Sequence, residues 1–290
     1  MTLRLSYGTN GFGDHRLSDA LAIIADLGYD GVALTLDHHH LDPFAVDVAT
    51  QVGTIDRLLT THGLAVVIET GARYLLDPRR KHEPTLVSAH GRELRLDFLH
   101  RAIDIAADLG SDIVHFWSGT LPAGTSIDTG WDRLLTGMAE ILPHAESAGV
   151  RLAVEPEPGM LIERLADAQE LRMRLGSPDA LRLTLDVGHA LCNEDLTPDA
   201  AIRAAAGDLI HVQIEDMRRG VHEHLEFGDG ELDLDRSVEA LLEVRYAGLV
   251  SVELARHSHA APVTAARSID ALRTAVASCE SRLATTQEPR

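Results

Sequence analysis

Cysteine is scarce. Cys192 and Cys279 are the only two in 290 residues, too few for a disulfide framework or a cysteine-based zinc site. Lysine is scarcer: Lys81 stands alone, so the cationic side chains are almost all arginine and a Schiff-base mechanism has one candidate. No stretch approaches 18 apolar residues, which excludes an obvious membrane-spanning helix. The opening MTLRLSYGTNGFGDH is broken by glycines and polar residues before any apolar run of signal length, so a soluble cytoplasmic protein is expected. Positive charge is also short, with 26 Lys and Arg against 45 Asp and Glu, a formal net charge of −19. Such a surface repels a duplex phosphate backbone and an anionic lipid surface, so neither nucleic acid nor membrane is an expected partner. Apolar content is not lacking. At 45% hydrophobic residues the chain can bury a sizeable core, which rules out a disordered protein.

One pattern recurs along the chain: an amphipathic segment, a glycine, then a short apolar run. Leu21 to Gly28 precedes GVALTL, Ile55 to Gly63 precedes LAVVIE, and Ile103 to Gly110 precedes DIVHFW. Leu134 to Gly149 precedes VRLAVE, and Leu241 to Gly248 precedes LVSVEL. Each glycine reads as a left-handed helix C-cap followed by a buried strand. Strands so uniformly apolar belong in a parallel sheet covered by helices. RLSYGTN (4–10), LRLTLD (181–186) and LIHVQIE (209–215) bring the strands to eight, with helices predicted near 18–27, 51–62, 92–109, 128–148, 163–175, 198–206, 234–246 and 263–283. Eight βα units in a chain of this length fit a closed (β/α)₈ barrel, which typically takes about 250 residues. An open doubly wound sheet is the alternative, but no Gly-x-Gly-x-x-Gly follows the first strand. No linker marks a boundary. The expectation is a single (β/α)₈ TIM barrel over 1–284 with a frayed tail at 285–290, and a functional lid over the long irregular stretch 70–91.

In a barrel the chemistry sits where strands end. The fifth strand ends in Glu155 of LAVEPEPG, and the sixth in Asp186 of LTLDVGHA with His189 three residues on. His211 lies within the seventh, and Glu253 near the end of the eighth. A carboxylate at one strand end is more often a helix cap or an ion-pair partner than a ligand. These four, however, are embedded in apolar strands, and burying neighbouring carboxylates without a counter-charge costs several kcal/mol. A hard divalent cation answers that cost, and imidazole donors shift the preference toward Mn²⁺, Co²⁺ or Zn²⁺.

The set Glu155-Pro-Glu-Pro-Gly, Asp186-Val-Gly-His189, His211-Val-Gln-Ile-Glu-Asp and Val252-Glu253-Leu resembles the xylose-isomerase-like barrels, which include sugar-phosphate isomerases, sugar epimerases and family 2 AP endonucleases. The eight-unit pattern extends the resemblance over nearly the whole chain, although its specific motifs fall in the second half. It implies one divalent metal ion, Mn²⁺ first and Zn²⁺, Co²⁺ or Mg²⁺ as alternatives, held by Glu155, Asp186, His211 and Glu253. In the epimerase branch the two glutamates, here Glu155 and Glu253, also exchange protons with the substrate carbon, and His189 contacts substrate or a further metal. RRGVHEHLEFGDGELD (218–233) is similar to the family's histidine plus Gly-x-Gly segment after the seventh strand. In the endonuclease branch an aspartate and a histidine there bind zinc, and this chain has His222 and His224 instead. That departure leaves metal binding and hydroxyl recognition both open. On the fourth strand Trp117 takes the place of an endonuclease histidine, with His115 sharing its face.

Glu69, ending the third strand, is a candidate for hydrogen bonding a sugar hydroxyl, and Trp117 for covering a sugar ring. Arg73, with Arg79, Arg80, Lys81 and His82, makes the one basic cluster, able to capture a substrate phosphate or carboxylate or to remain a solvated loop. His38 to His40 read as a solvated turn. The expected function is isomerisation or epimerisation of a sugar, sugar phosphate or cyclitol-like polyol through an enediolate. Dehydration of a keto-polyol on the same site is the nearest alternative, followed by an endonuclease-like phosphodiesterase and a non-catalytic barrel. A homodimer or homotetramer is the expected assembly.

Overall fold

The computed structural model describes residues 2–286. Its strands are β1 (Arg4–Gly8), β2 (Gly31–Thr35), β3 (Ala65–Glu69), β4 (Ile113–Trp117), β5 (Arg151–Glu155), β6 (Leu181–Asp186), β7 (Leu209–Ile214), β8 (Asp216–Arg218), β9 (Val221–Leu225) and β10 (Leu249–Val252). All but β8 and β9 pair in parallel in chain order, and β10 closes on β1, giving the (β/α)₈ barrel that the sequence predicts. Around it lie α1 (Leu17–Asp26), α2 (Val48–His62), α3 (Arg92–Asp108), α4 (Ile127–Ala148), α5 (Leu165–Arg174), α6 (Val187–Asn193), α7 (Pro198–Ala205), α8 (Leu234–Glu243) and α9 (Ala261–Thr286). Of the tail expected over 285–290, Thr285 and Thr286 belong to α9 and the rest lies outside the described residues.

The glycine punctuation has a physical basis at α2 and α4. Gly63 and Gly149 take φ of 67° and 68°, and each turns its N–H back onto carbonyls of the last helical turn, a conformation that costs a glycine nothing. Gly248 is not such a cap. After α8 the left-handed residue is Arg245, with φ of 56°, and Gly248 is required for space, since a Cβ there would meet the Tyr246 hydroxyl at 2.3 Å.

Strand alternation divides the core. Outward residues such as Val32, Leu34, Ile68, Phe116 and Val154 pack under helix residues including Leu21, Ile24, Phe98 and Ile141. Inward residues change character with height. At the N-terminal end Val67, Ile113, Ala153 and Leu249 form a small apolar plug. Above them Ser6, His211 and Ser251 are hydrogen-bonded together, and above those come the carboxylates. One register irregularity matters here: a shift between Leu183 and Thr184 sets Thr184 opposite His211 and Asp186 opposite Gln213.

Two elements at the C-terminal mouth escaped the sequence reading, the short helix α6 and the β8–β9 hairpin. Buried Asp216 holds the hairpin in place. Its carboxylate accepts from the backbone N–H groups of Met217, Gly228, Gly230 and Leu232 at 2.8–3.0 Å. Gly230 lies so close that a Cβ would stand 2.2 Å from Asp216 Oδ1. The 70–91 loop is likewise fixed. Arg95 of α3, only 3% exposed, donates to the carbonyls of Thr70, His82 and Pro84.

Candidate active site

A cavity of about 590 Å³ opens at the C-terminal ends of the strands, walled by the carboxylates on one side and the 70–91 loop on the other. A larger one of about 700 Å³ lies at the opposite end, over the apolar plug, and none of the clustered carboxylates and imidazoles reaches it. Barrel chemistry belongs to the first.

Glu155, Asp186 and Glu253 each bring a carboxylate oxygen within 4.8 Å of the other two. Glu155 Oε2 accepts from His115 Nε2 at 2.7 Å, which leaves Oε1 buried without a hydrogen bond. Asp186 caps α6 by accepting the His189 backbone N–H at 2.8 Å with Oδ1, and its Oδ2 is likewise unpartnered. Glu253 accepts from Asn10 Nδ2 and Gln213 Nε2, both at 2.8 Å. Glu69, beside it, accepts from Thr35 and Gln213. Burial and the neighbouring Glu253 push the Glu69 carboxyl up to about 7. For Glu155, burial acts upward, but the contact with His115 outweighs it and holds the carboxyl well below the usual range. His115 is in turn raised to about 9, its own burial overcome by Glu155. Converging carboxylates with open, buried oxygens are what a divalent cation requires, and the residues fit one.

His211 does not join this cluster. It sits one layer deeper, with Nε2 3.0 Å from Ser251 Oγ, and belongs to none of the metal-competent groups among the described residues. Burial, then the neighbouring His115, lowers it to about 3, so it is a neutral imidazole of the barrel interior. The residue that stands opposite Asp186 is Gln213, and its Oε1 is buried and free of hydrogen bonds. His211, expected as a ligand, thus lies below the carboxylate cluster, and Gln213, two residues along the same face of β7, stands level with Asp186.

His189, His222 and His224 do meet at the site. His189 Nε2 is 3.0 Å from His222 Nε2, and His189 Nδ1 is 3.2 Å from Glu155 Oε1. Glu157, not singled out from the sequence, faces both His189 and His222 at 3.7 and 3.6 Å. Glu215, also missed, lies 3.4 Å from His224 Nδ1. The signal for both is alternation: Glu157 repeats the parity of Glu155, and His211, Gln213 and Glu215 form one polar series. His38 pairs with Asp37 and stays away from the cavity, as do His39 and His40.

On the opposite wall the basic cluster divides. Arg80 turns away to pair with Asp77, while Arg73, Lys81 and His82 line the cavity, joined by Arg256 from beyond β10. Neither Arg73 nor Lys81 has a carboxylate within 4.0 Å among the described residues. Trp117 also lines the cavity, flanked by the Arg95 guanidinium at 4.7 Å and the His82 ring at 5.2 Å.

A closed eight-stranded parallel barrel with buried carboxylates and imidazoles gathered at its strand ends defines the class. The chain belongs to the xylose isomerase-like TIM barrel family, which matches residues 21–275. It is 26% identical to the L-ribulose-5-phosphate 3-epimerase of Salmonella typhi over 243 residues, 81% of either chain. An uncharacterised protein of Methanocaldococcus jannaschii is 26% identical over 202 residues, 62% of this chain and 68% of its own. Among solved structures, an L-ribulose 3-epimerase aligns with a TM-score of 0.80 at 20% identity, covering 100% of this chain and 99% of that one. The 3-keto-D-glucoside 4-epimerase from E. coli aligns at 0.75 and 18% identity, covering 94% and 100%. At these identities the structural likenesses show the shared fold. Among the described residues no helix is long and apolar enough to cross a membrane.

Proposed function

We propose that the protein is a divalent-metal-dependent epimerase or isomerase of a small keto sugar or polyol bearing an anionic group. The observation that carries this reading is the convergence of the Glu155, Asp186 and Glu253 carboxylates, with Glu155 Oε1 and Asp186 Oδ2 buried and without a hydrogen bond among the described residues. The epimerases among the relatives support the reaction class. Glu155, Asp186, Glu253 and the Gln213 amide oxygen would hold the ion, Mn²⁺ by preference for an oxygen-rich site with imidazoles nearby. Such an ion supplies Lewis-acid polarisation of a carbonyl and the hydroxyl next to it.

Glu155 ends β5 and Glu253 follows β10, three strands away round the barrel, so the two carboxylates would approach a substrate from different directions. One removes the proton alpha to the carbonyl and the other returns it. His115 orients Glu155, while Asn10 and Gln213 orient Glu253. His222, which lines the cavity with His189 against it, would hold a hydroxyl, and Trp117, which lines the same cavity, would cover a sugar ring. Arg73 and Lys81, cations without ion-pair partners among the described residues on a chain of net charge −19, would supply the anion-recognising end.

The experiment is incubation of Mn²⁺-loaded protein in D₂O with ketose phosphates and inososes. Deuterium should enter the carbon alpha to the carbonyl, and Glu155→Gln and Glu253→Gln should abolish the exchange at saturating metal. Loss of water would move the protein to the dehydratases. Cleavage of abasic DNA without exchange would overturn the proposal.

A further inference from the structure

We infer that Arg95 is a positioning residue of the site: it pins the 70–91 loop to the barrel rim and so sets how far Arg73 and Lys81 stand from the strand-end carboxylates. This rests on the anion-recognising role given above to Arg73 and Lys81, and names the residue through which that role is exerted. Arg95 lies in the first turn of α3 and is 3% exposed. Its Nε donates to the Pro84 carbonyl at 2.9 Å, Nη1 to Thr70 at 3.1 Å and Nη2 to His82 at 2.8 Å. One planar group thus holds both ends of the segment that carries the two cations. His82 is held a second time, its N–H donating to the Arg73 carbonyl. That bond closes a neck in the loop, with Arg73 on one side and Lys81 on the other.

The remaining ties lead to the carboxylates. The guanidinium carbon is 4.7 Å from the centre of the Trp117 ring, and Trp117 pairs in register with Glu155. Thr70 Oγ1 donates to the His115 carbonyl at 2.8 Å, one residue before Phe116 on the same strand. On the far side Arg73 Nη2 reaches the Asn10 carbonyl at 3.4 Å, and Asn10 Nδ2 donates to Glu253. The loop also packs hard on the end of β4, since a Cβ at Gly119 would stand 2.2 Å from Thr85 Cβ. Arg95 itself takes part in no ion pair among the described residues. A buried cation whose acceptors are all neutral is a costly way to fasten a loop for its own sake. Its charge is felt at the cavity, where burial, Lys81 and then Arg95 lower His82. A lysine would keep that charge, but one ammonium cannot bridge three carbonyls spread over Thr70 to Pro84. With Arg95 in place an anion meets cations already ordered, and little freedom is lost on binding.

The test is a double-mutant cycle on the Mn²⁺-loaded full chain. Arg95→Lys should raise KM for a ketose phosphate about tenfold, and by more than it lowers kcat. For the same ketose without its phosphate, KM should move less than about twofold. In the Arg73→Met with Lys81→Met background the same substitution should change KM no further. Calorimetric titration with inorganic phosphate reads the cycle without turnover, with about tenfold weaker binding for Arg95→Lys and no added loss in that background. Circular dichroism checks the fold, and Arg95→Gln decides the matter if Arg95→Lys does not fold. Equal rises in KM for both ketoses overturn the inference, as do additive effects in the cycle, since Arg95 then serves the fold alone. Phosphate affinity untouched by Arg73→Met with Lys81→Met removes the anion-recognising wall and this inference with it. Phosphate affinity that follows the cycle, without turnover of any ketose, keeps Arg95 in its role and removes the epimerase.

Discussion

His115 Nε2 lies 2.7 Å from Glu155 Oε2 across the β4–β5 pair, with both side chains buried. The imidazole occupies one carboxylate oxygen and so aims the other, Oε1, at the cluster shared with Asp186 and Glu253. Partners that orient a ligand typically contribute about 10–100-fold in metal affinity. His115→Phe should therefore weaken Mn²⁺ binding by about that factor in calorimetric titration, while circular dichroism stays native. Undiminished affinity would show that Glu155 needs no such guidance.

Gln213 and His211 share a face of β7 but differ in depth, and substitution should separate them. Gln213→Leu removes the donor to Glu69 and Glu253 together with the open Oε1, so Mn²⁺ affinity should fall about tenfold or more. His211→Asn should leave metal content at the wild-type value. The reverse result would return the ligand role to His211.

The wall formed by Arg73 and Lys81 should be felt in KM. Each charge-assisted bond to an anion is worth about 1.5–3 kcal/mol, and each 1.4 kcal/mol is about tenfold. Arg73→Met with Lys81→Met should raise KM for a ketose phosphate at least about tenfold and leave kcat nearly unchanged. Arg79→Ala with Arg80→Ala should change neither, because Arg80 is engaged with Asp77. Equal KM in all variants would return the whole cluster to solvent and favour neutral polyols.

His82 gives the loop a pH signature. Burial, then the charges of Lys81, Arg95 and Arg73, lower it to about 3 from an ordinary value of 6.5. With the folded value below the unfolded one, its contribution to stability is fully present above about 6.5 and is lost progressively as pH falls toward 3. The Tm of the wild type should drop more steeply between pH 6.5 and 4 than that of His82→Phe. Parallel profiles would mean that the ring is solvated.

Gly230→Ala forces a methyl group into Asp216 and the Met217 carbonyl, at 2.2 and 2.3 Å from the added carbon. Several of the four bonds to the Asp216 carboxylate would break, at a cost of about 2–4 kcal/mol, or roughly 3–7 °C in Tm for a chain of this size. An unchanged Tm would show that the hairpin yields freely.

The eight strands are legible in the sequence because each is a short apolar run set off by a helix and a turn. Glu155, Asp186 and Glu253 stand out because they are charges at the tips of those runs. His211 lies deeper than its motif suggests for a reason internal to sheets. Alternation tells which face a residue takes but not its height, and the height of β7 is fixed by the shift between Leu183 and Thr184, a property of the pair of strands. Glu215 and Glu157 follow the same alternation, yet they lie at and beyond strand ends, where an isolated carboxylate ordinarily reads as a cap. The β8–β9 hairpin is charged and half-exposed, so nothing in its hydrophobic pattern announces strands.

Asp216 has a consequence for how such a barrel acquires new chemistry. Because one carboxylate ties the start of the hairpin to Gly228, Gly230 and Leu232, the intervening residues form a closed loop whose two ends are anchored independently of what it carries. Side chains at 222 and 224 can then be exchanged without disturbing the register of the eight barrel strands. The fold thus separates a hydrogen-bonded frame from the reactive side chains it carries, and substitutions at 222 and 224 are expected to change substrate or reaction at the least structural expense.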